Sequence, residues 1–296
     1  MQKTGKNSGL GLVHIHIAVF LFGFAGLFGK FLSCDPLYIV FGRTFFAAAA
    51  LLIYTRAAAG TGLTGYKKSQ MVFFILQGML LGVHWWTFFV SIRISTVAVG
   101  LVTFSTFPFF VTFLEPLFFK ERLKKRDIAT AVAVFIGIVL VIPELDFANS
   151  ITKGGSYGIL SGFTFALLAL VNRKNAQTCD AMAVAFYQNL FAAVFLSLPL
   201  MVFTPVSPGL SDLPNLLFLG VVCTALAHTL FINALTRIRA QTASVIAGME
   251  PVYGIVLAFF LLSEIPDMRT LMGGTIIIGT TIAAGIQSQM EQQDLK

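Results

Sequence analysis

Glu250 is the residue of this chain best placed to do chemistry, because it sits where a carboxylate is hardest to keep. Counted from Thr242 at ~1.5 Å per residue, it lies roughly 12–15 Å into an apolar stretch, near the middle of a ~30 Å hydrocarbon layer. A lone charge at that depth is expensive, so the group is neutral, paired or turned toward a wet cavity. In a cavity it would bind an amine or take up a proton; otherwise it stays protonated and bonds a neighbouring helix. Pro251 follows directly and frees a carbonyl one turn earlier, near Ala247, which opens the backbone to water or a ligand.

A second constellation is His84-Trp85-Trp86-Thr87-Phe88-Phe89. Trp85, Phe88 and Phe89 share a helical face, with His84 and Thr87 on a neighbouring arc. Their rings could form a stacking wall for a planar or cationic solute, or simply pack between helices. His84 is a candidate proton relay, with a neutral, hydrogen-bonded imidazole as the alternative. Tyr187, Gln188 and Asn189 form a short polar cluster, and Asn233, Tyr253 and His228 add further donors. Thr103, Ser105 and Thr106 would orient a solute or bond their own backbone.

These residues recur in register. Ser105-Thr-Phe-Pro108, with twelve residues between the Pro and Glu121, is matched by Gly248-Met-Glu-Pro251 with Glu264, at an offset of 143 residues. The same offset carries Phe22 onto Phe165, Phe88 onto Phe231 and Phe107 onto Glu250. A two-residue slip carries Phe41 onto Phe186, Arg43 onto Gln188 and Phe46 onto Phe191. The chain therefore reads as two copies of one unit, residues 1–147 and 148–296, with an acidic wall in one copy facing an aromatic wall in the other.

Composition sets the surroundings of those units. With 57% hydrophobic and 11% charged residues, against roughly 25% charge in soluble domains, the chain cannot cover a water-facing globule. The fold class expected is an all-α polytopic membrane protein with ten transmembrane helices, arranged as two inverted five-helix repeats around a central cavity. The spans fall near Val13–Phe31, Leu37–Thr55, Met71–Ile92, Thr96–Phe118, Ile128–Pro143, Gly154–Val171, Ala181–Phe203, Leu213–Leu235, Thr242–Leu262 and Leu271–Ile286. With the amino terminus inside, fifteen of the 20 Lys and Arg residues flank the inner ends and four the outer ends. That bias places both termini in the cytoplasm, and five spans per copy then invert the second copy. The net charge of +7 is this topology signal and calls for no nucleic acid. No A-x-A-like site follows the first apolar run, so a cleaved leader is not expected.

Several residues have blander readings. Arg43, near the outer end of the second span, is expected to snorkel outward, with an answer to Glu250 across the cavity as the alternative. Glu115 is expected to pair with the basic loop 120–126, and His14 and His16 to sit at the inner interface. Cys34, Cys179 and Cys223 fall in three different settings and read as small apolar fillers. Ala129, Ala133 and Gly137 on the fifth span, and Thr275, Gly279 and Ala283 on the tenth, form small-residue stripes that suit close helix packing or a homodimer face. No spacing fits a metal ligand set, a phosphate loop or an activated nucleophile, so no cofactor or catalytic residue is expected.

Together, the ten-span plan, the duplicated Pro-x12-Glu ends, His84-Trp85 before Phe88-Phe89, and Glu250-Pro251-Val252 resemble the EamA-like branch of the drug/metabolite transporter superfamily, over about Ile15 to Ile286. The resemblance implies two inverted bundles around a cavity lined by the first, third, fourth, sixth, eighth and ninth spans. It also implies ATP-independent movement, often export, of small organic metabolites such as amino acids. Phe107, Pro108, Glu250, Pro251, Trp85 and Phe88 would then lie on cavity-lining helices, and Glu121 and Glu264 would cap helix ends. The expectation is an inner-membrane secondary transporter working by alternating access, with Glu250, Trp85, Phe88, His84, Phe107, Ser105, Tyr253, Asn189 and Tyr187 at the substrate site. Pro108 and Pro251 would serve as hinges and Glu250 and His84 as proton-coupling groups. An uncoupled facilitator of nucleobase-like or cationic drug-like solutes is the nearest alternative. A membrane-embedded enzyme would need a metal or nucleophile cluster at one membrane face, which the sequence lacks, and a receptor is the remaining alternative of another class.

Overall fold

The computed structural model describes residues 8–57, 63–119, 125–142, 146–175, 179–203, 206–235, 237 and 246–294. Glu121, the side chain of Glu115 and the expected start of the ninth span near Thr242 lie outside the described residues. Within them every regular element is a helix. The chain runs through α1 (Ser8–Phe31), α2 (Pro36–Ala57), α3 (Lys68–Ile94), α4 (Val97–Phe104), α5 (Phe107–Phe119) and α6 (Lys125–Val141). It continues through α7 (Ser150–Asn175), α8 (Ala181–Val202), α9 (Leu213–Gly220), a π-helical turn (Val221–Leu226), α10 (Ala227–Leu235), α11 (Glu250–Leu262) and α12 (Met268–Asp294). Among the described residues, seven segments are long and apolar enough to cross a membrane, and Ile128–Val141 and Glu250–Leu262 are shorter apolar helices. The chain is thus a multi-pass membrane protein.

Side-chain caps set many of the boundaries. Asp35 accepts from the Leu37 N–H at 2.8 Å and Asp180 from those of Met182 and Ala183 at 2.9 and 3.2 Å, so α2 and α8 start behind matched aspartates. Asn149 accepts from the Ile151 N–H at 2.8 Å, which starts α7 four residues before the Gly154 expected from hydropathy alone. Asp267 accepts from the Thr270 N–H at 2.6 Å and caps α12. Hydrogen bonds from the side chain and the backbone of Thr270 hold its carboxyl below the usual carboxylate range. A depressed pKa means the cap stabilises above the unfolded-state value and is lost as pH falls through the folded one. Asp267→Asn is therefore expected to lower the melting temperature at neutral pH and to flatten the profile below about pH 4, where the native cap is already becoming protonated.

The expected fourth and ninth spans are single rods, but the structure breaks both. The break falls at Ser105–Thr106 in one and at Gly248–Met249 in the other, the same register position. Helical bonding resumes behind Phe107 and Glu250, with Pro108 and Pro251 at the second position, where a missing N–H costs nothing.

Packing follows the same register. As α1 lies against α10 and α11, α7 lies against α3 and α4; as α2 lies against α9, α8 lies against α3. Single glycines permit these crossings. A Cβ on Gly78 would stand 2.5 Å from the Phe191 Cβ, and one on Gly220 would stand 2.6 Å from the Phe46 Cβ, the matching aromatic in the other half. Small residues allow such close backbone approach in apolar surroundings.

The small-residue stripe expected on the tenth span faces outward: Thr275, Gly279 and Ala283 are exposed. The contact with α6 runs instead through Gly273 and Ile277 against Gly137, one helical face away. Hydrophobic counting gives the period of a helix but not which small-residue face its neighbour selects.

At one end of the bundle the helix termini cap each other. Arg93 of α3 donates to the Gly29, Leu32 and Cys34 carbonyls of α1's last turn and exit at 2.7–2.9 Å. Lys30 of α1 returns a bond to the Ser95 carbonyl behind α3 at 2.7 Å. Glu264, just past α11, accepts from the Val97 N–H at the start of α4 at 2.8 Å. Arg93→Ala leaves several carbonyls of one helix end unpaired, and an expected loss of about 2 kcal/mol should be visible as a lower melting temperature in detergent.

Candidate functional site

The broken helices and the glycine crossings leave a cavity of about 360 Å³ in the middle of the bundle. Its wall is built from register-matched positions: Phe22 with Phe165, Ala25 with Leu168, Trp85 with His228, Phe88 with Phe231, Phe104 with Ala247, and Phe107 with Glu250. Arg43 and Gln188 add a pair under the two-residue slip, and Leu81, His84, Asn172, Ala181, Val184 and Ala185 fill the rest of the wall without a matched partner. The scaffold is repeated while the chemistry is not. One half contributes a guanidinium and the other a carboxylate, and most of the rest is aromatic or aliphatic.

Five of the residues expected at the site come together here: Glu250, Trp85, Phe88, His84 and Phe107. Phe104 and Phe107 stack at 5.4 Å, and Phe165 meets both edge-on at 5.4 and 5.0 Å. His84 lies 4.9 Å from Phe165 and 5.1 Å from Phe104, centroid to centroid. Its Nδ1 is 3.1 Å from the Ser161 carbonyl and 2.8 Å from the Ser161 hydroxyl, which itself donates to the His84 carbonyl at 3.0 Å. A carbonyl only accepts, so this contact calls for a proton on Nδ1.

The other four expected residues lie off the cavity wall. Ser105 donates to the Leu101 carbonyl at 2.8 Å, and Thr103 and Thr106 likewise bond their own helix. Tyr187 donates to the Leu63 carbonyl and stacks on Phe74 at 4.7 Å. Asn189 donates to the Ala185 carbonyl at 2.9 Å, and Tyr253 meets His16 at 2.8 Å on the α1–α11 face. Pro108 and Pro251 stand directly behind the two helix breaks.

Arg43 departs from the outward reach expected of it. It is 4% exposed, with its guanidinium carbon 3.7 Å from the centre of the Trp85 ring and its Nε donating to the Thr224 hydroxyl at 2.8 Å. Gly220 explains the inward position: with no side chain there, the Arg43 backbone packs directly on the end of α9. Thr224 lies in the π-helical turn and donates to the Leu219 carbonyl five residues back at 2.8 Å. The second and seventh spans thus join the wall, alongside the six that the resemblance implies. Gln188 lines it while donating to Asn172 at 2.6 Å.

A model of the EamA-like transporter family matches twice, over residues 9–142 and 152–285. The chain belongs to the EamA-like transporter family. Among this EamA-like protein's relatives, the S-adenosylmethionine uptake transporter of Rickettsia felis is 30% identical over 248 residues, covering 82% of this chain and 81% of the relative. That of Rickettsia bellii is 28% identical over 246 residues with the same coverage. An uncharacterized transporter of Bacillus subtilis is 22% identical over 283 residues, covering 93% and 89%. A solved crystal structure shares the fold of the EamA-like chain, with a TM-score of 0.65 at 17% identity over 96% of this chain and 97% of its own. The EamA-like protein is a membrane transporter.

Proposed function

We propose that the protein is a secondary transporter that carries S-adenosylmethionine, or a solute of the same amphipathic kind, through the central cavity. The observation that carries this reading is a cavity whose wall is made of matched residues from the two halves, aromatic on most sides and acidic at Glu250. The solute offers a flat purine for the rings around Phe104, Phe107 and Trp85, and a sulfonium and an ammonium for aromatic faces and the carboxylate. The names of the Rickettsia relatives support both this substrate and uptake, in place of the export first expected.

The same reading makes residues 1–147 and 148–296 two inverted five-span repeats in the inner membrane, with both termini cytoplasmic. The matched helix breaks and the reciprocal packing support the repeats, and the bias of Lys and Arg toward one side supports the orientation. In that orientation the cavity reaches the inner ends of α7 and α8 at Asn172 and Ala181, while Arg93, Lys30 and Glu264 tie the outer end shut. The state is inward-facing, and bending at the breaks behind Pro108 and Pro251 would reverse it.

Flux of labelled S-adenosylmethionine into proteoliposomes, with and without an imposed pH gradient, tests the reading. Saturable uptake above empty vesicles, competed by unlabelled solute, is expected; no uptake above empty vesicles would refute the substrate. Acceleration by the gradient would assign proton coupling and make Glu250 and His84 the next residues to substitute. Gradient-insensitive equilibration would make the protein a facilitator.

A further inference from the structure

We propose that Arg43 is a receptor for a carboxylate, so that the cavity selects a solute with an anionic end at Arg43 and a cationic end toward Glu250. This rests on the reading of the cavity as the solute site and adds to it the feature that decides which solutes are held.

Arg43 has an unfinished set of hydrogen bonds. A guanidinium is a planar fork of donors, and it is always charged. Here one edge is used: Nε donates to Thr224. The terminal nitrogens have no acceptor, and the group forms no ion pair, among the described residues, although the side chain is 4% exposed and lines the cavity. Its opposite charge is Glu250, which acts on it across the cavity without forming an ion pair, so the open donors of this buried fork are completed by a ligand set between the two charges.

Its orientation is fixed on several sides. Trp85 supports one face of the fork at 3.7 Å, Phe89 lies 5.9 Å away, and Gly220 holds the α2 backbone against α9. Thr224 is presented by the π-helical turn, a widening of the helix that often marks functional positions. Stacked and held at Nε, the fork directs its free edge to the cavity, the geometry that grips a carboxylate with two parallel bonds.

The asymmetry between the halves points the same way. At the position matched to Arg43 stands Gln188, already bonded to Asn172, and at the position matched to Glu250 stands Phe107. Each half therefore places one charge on an otherwise shared wall, and the two charges have opposite sign. An amino-acid moiety, with a carboxylate and an ammonium, matches this arrangement, whereas a simple organic cation would leave Arg43 unsatisfied.

The test uses the purified full chain carrying Trp86→Phe, so that Trp85, the other of the two tryptophans, reports ligand binding by fluorescence. Matched pairs are titrated: S-adenosylmethionine with its decarboxylated analogue, phenylalanine with phenethylamine, and methionine with its decarboxylated amine. The carboxylated member of a bound pair is expected to bind at least about tenfold more tightly, and Arg43→Gln to reduce that preference to near unity. Arg43→Lys should keep the charge but lose most of the preference, because an ammonium lacks the fork. If Arg43→Gln does not yield monodisperse protein, Arg43→Lys and Thr224→Val decide the question. A preference for the carboxylate that survives these substitutions would overturn the proposal. So would tighter binding of the amines, or no binding of any carboxylated compound. An Arg43-dependent preference among the amino-acid pairs without binding of S-adenosylmethionine would uphold Arg43 and remove that solute from the proposed function.

Discussion

Glu250→Gln is expected to lower transport by at least about tenfold while leaving the protein folded. The carboxylate stands at the first turn of α11, directly behind a helix break and on the cavity wall. Gln keeps the volume and one acceptor but removes the negative charge that holds a cationic solute, so the loss should appear as weaker binding and as slower flux. A backbone role would behave differently, because the helix start is formed by Pro251 and the Met249 carbonyl, which accepts from the Tyr253 N–H at 3.1 Å. Flux and melting temperature measured on the same preparations separate the two cases. Reduced flux with an unshifted melting temperature is the expected pair, and unchanged flux would take Glu250 out of the site.

Gly23→Val is expected to have the larger effect on folding. A Cβ at residue 23 would stand 2.7 Å from the Glu250 carbonyl oxygen and 2.8 Å from the Gly254 nitrogen. Both are backbone atoms, so relief requires moving α1 off α11 and cannot come from a side chain turning aside. Overpacking of this kind costs about 3 kcal/mol, enough to lower the melting temperature by several degrees or to prevent recovery of folded protein. Since α1 carries Phe22 and Ala25 to the cavity, any protein that does fold should also transport poorly. Gly9→Val at the start of α1, where a Cβ meets nothing within 4 Å, is the matched control and should fold normally.

The repeat in the sequence foretold much of the cavity, while the sequence carried its cation there only as the second reading of Arg43. Phe107 and Glu250 could be paired because a proline follows each at the same offset, and the helix breaks fall one step before them. Trp85 and Phe88 share a helical face, so finding one at the wall brings the other. Ser105, Tyr187, Asn189 and Tyr253 fared differently because polarity does not choose a face. Gln188 lines the cavity, and its neighbours at 187 and 189 are turned about 100° away on either side. Arg43 was misplaced because depth along a span says how far a side chain must reach for water. It says nothing of a Trp85 ring and a Thr224 hydroxyl close enough to hold it inside. The resemblance omitted the second and seventh spans from the wall, and those are the spans that bring Arg43 and Gln188. Ser161, which fixes the His84 ring, gave no signal in sequence, because a serine on an apolar helix usually bonds its own backbone.

The most direct test of the central claim asks whether the solute sits where the two halves meet. A single cysteine is placed at Phe107 in a background lacking Cys34, Cys179 and Cys223, and its reaction with a small thiol reagent is timed with and without S-adenosylmethionine. A second single cysteine at Ile265, which is 80% exposed and outside the cavity, serves as the reference. The account predicts that the solute slows modification at 107 in proportion to occupancy and leaves 265 unchanged. Equal rates at 107 with and without a solute that the same protein demonstrably transports would contradict it.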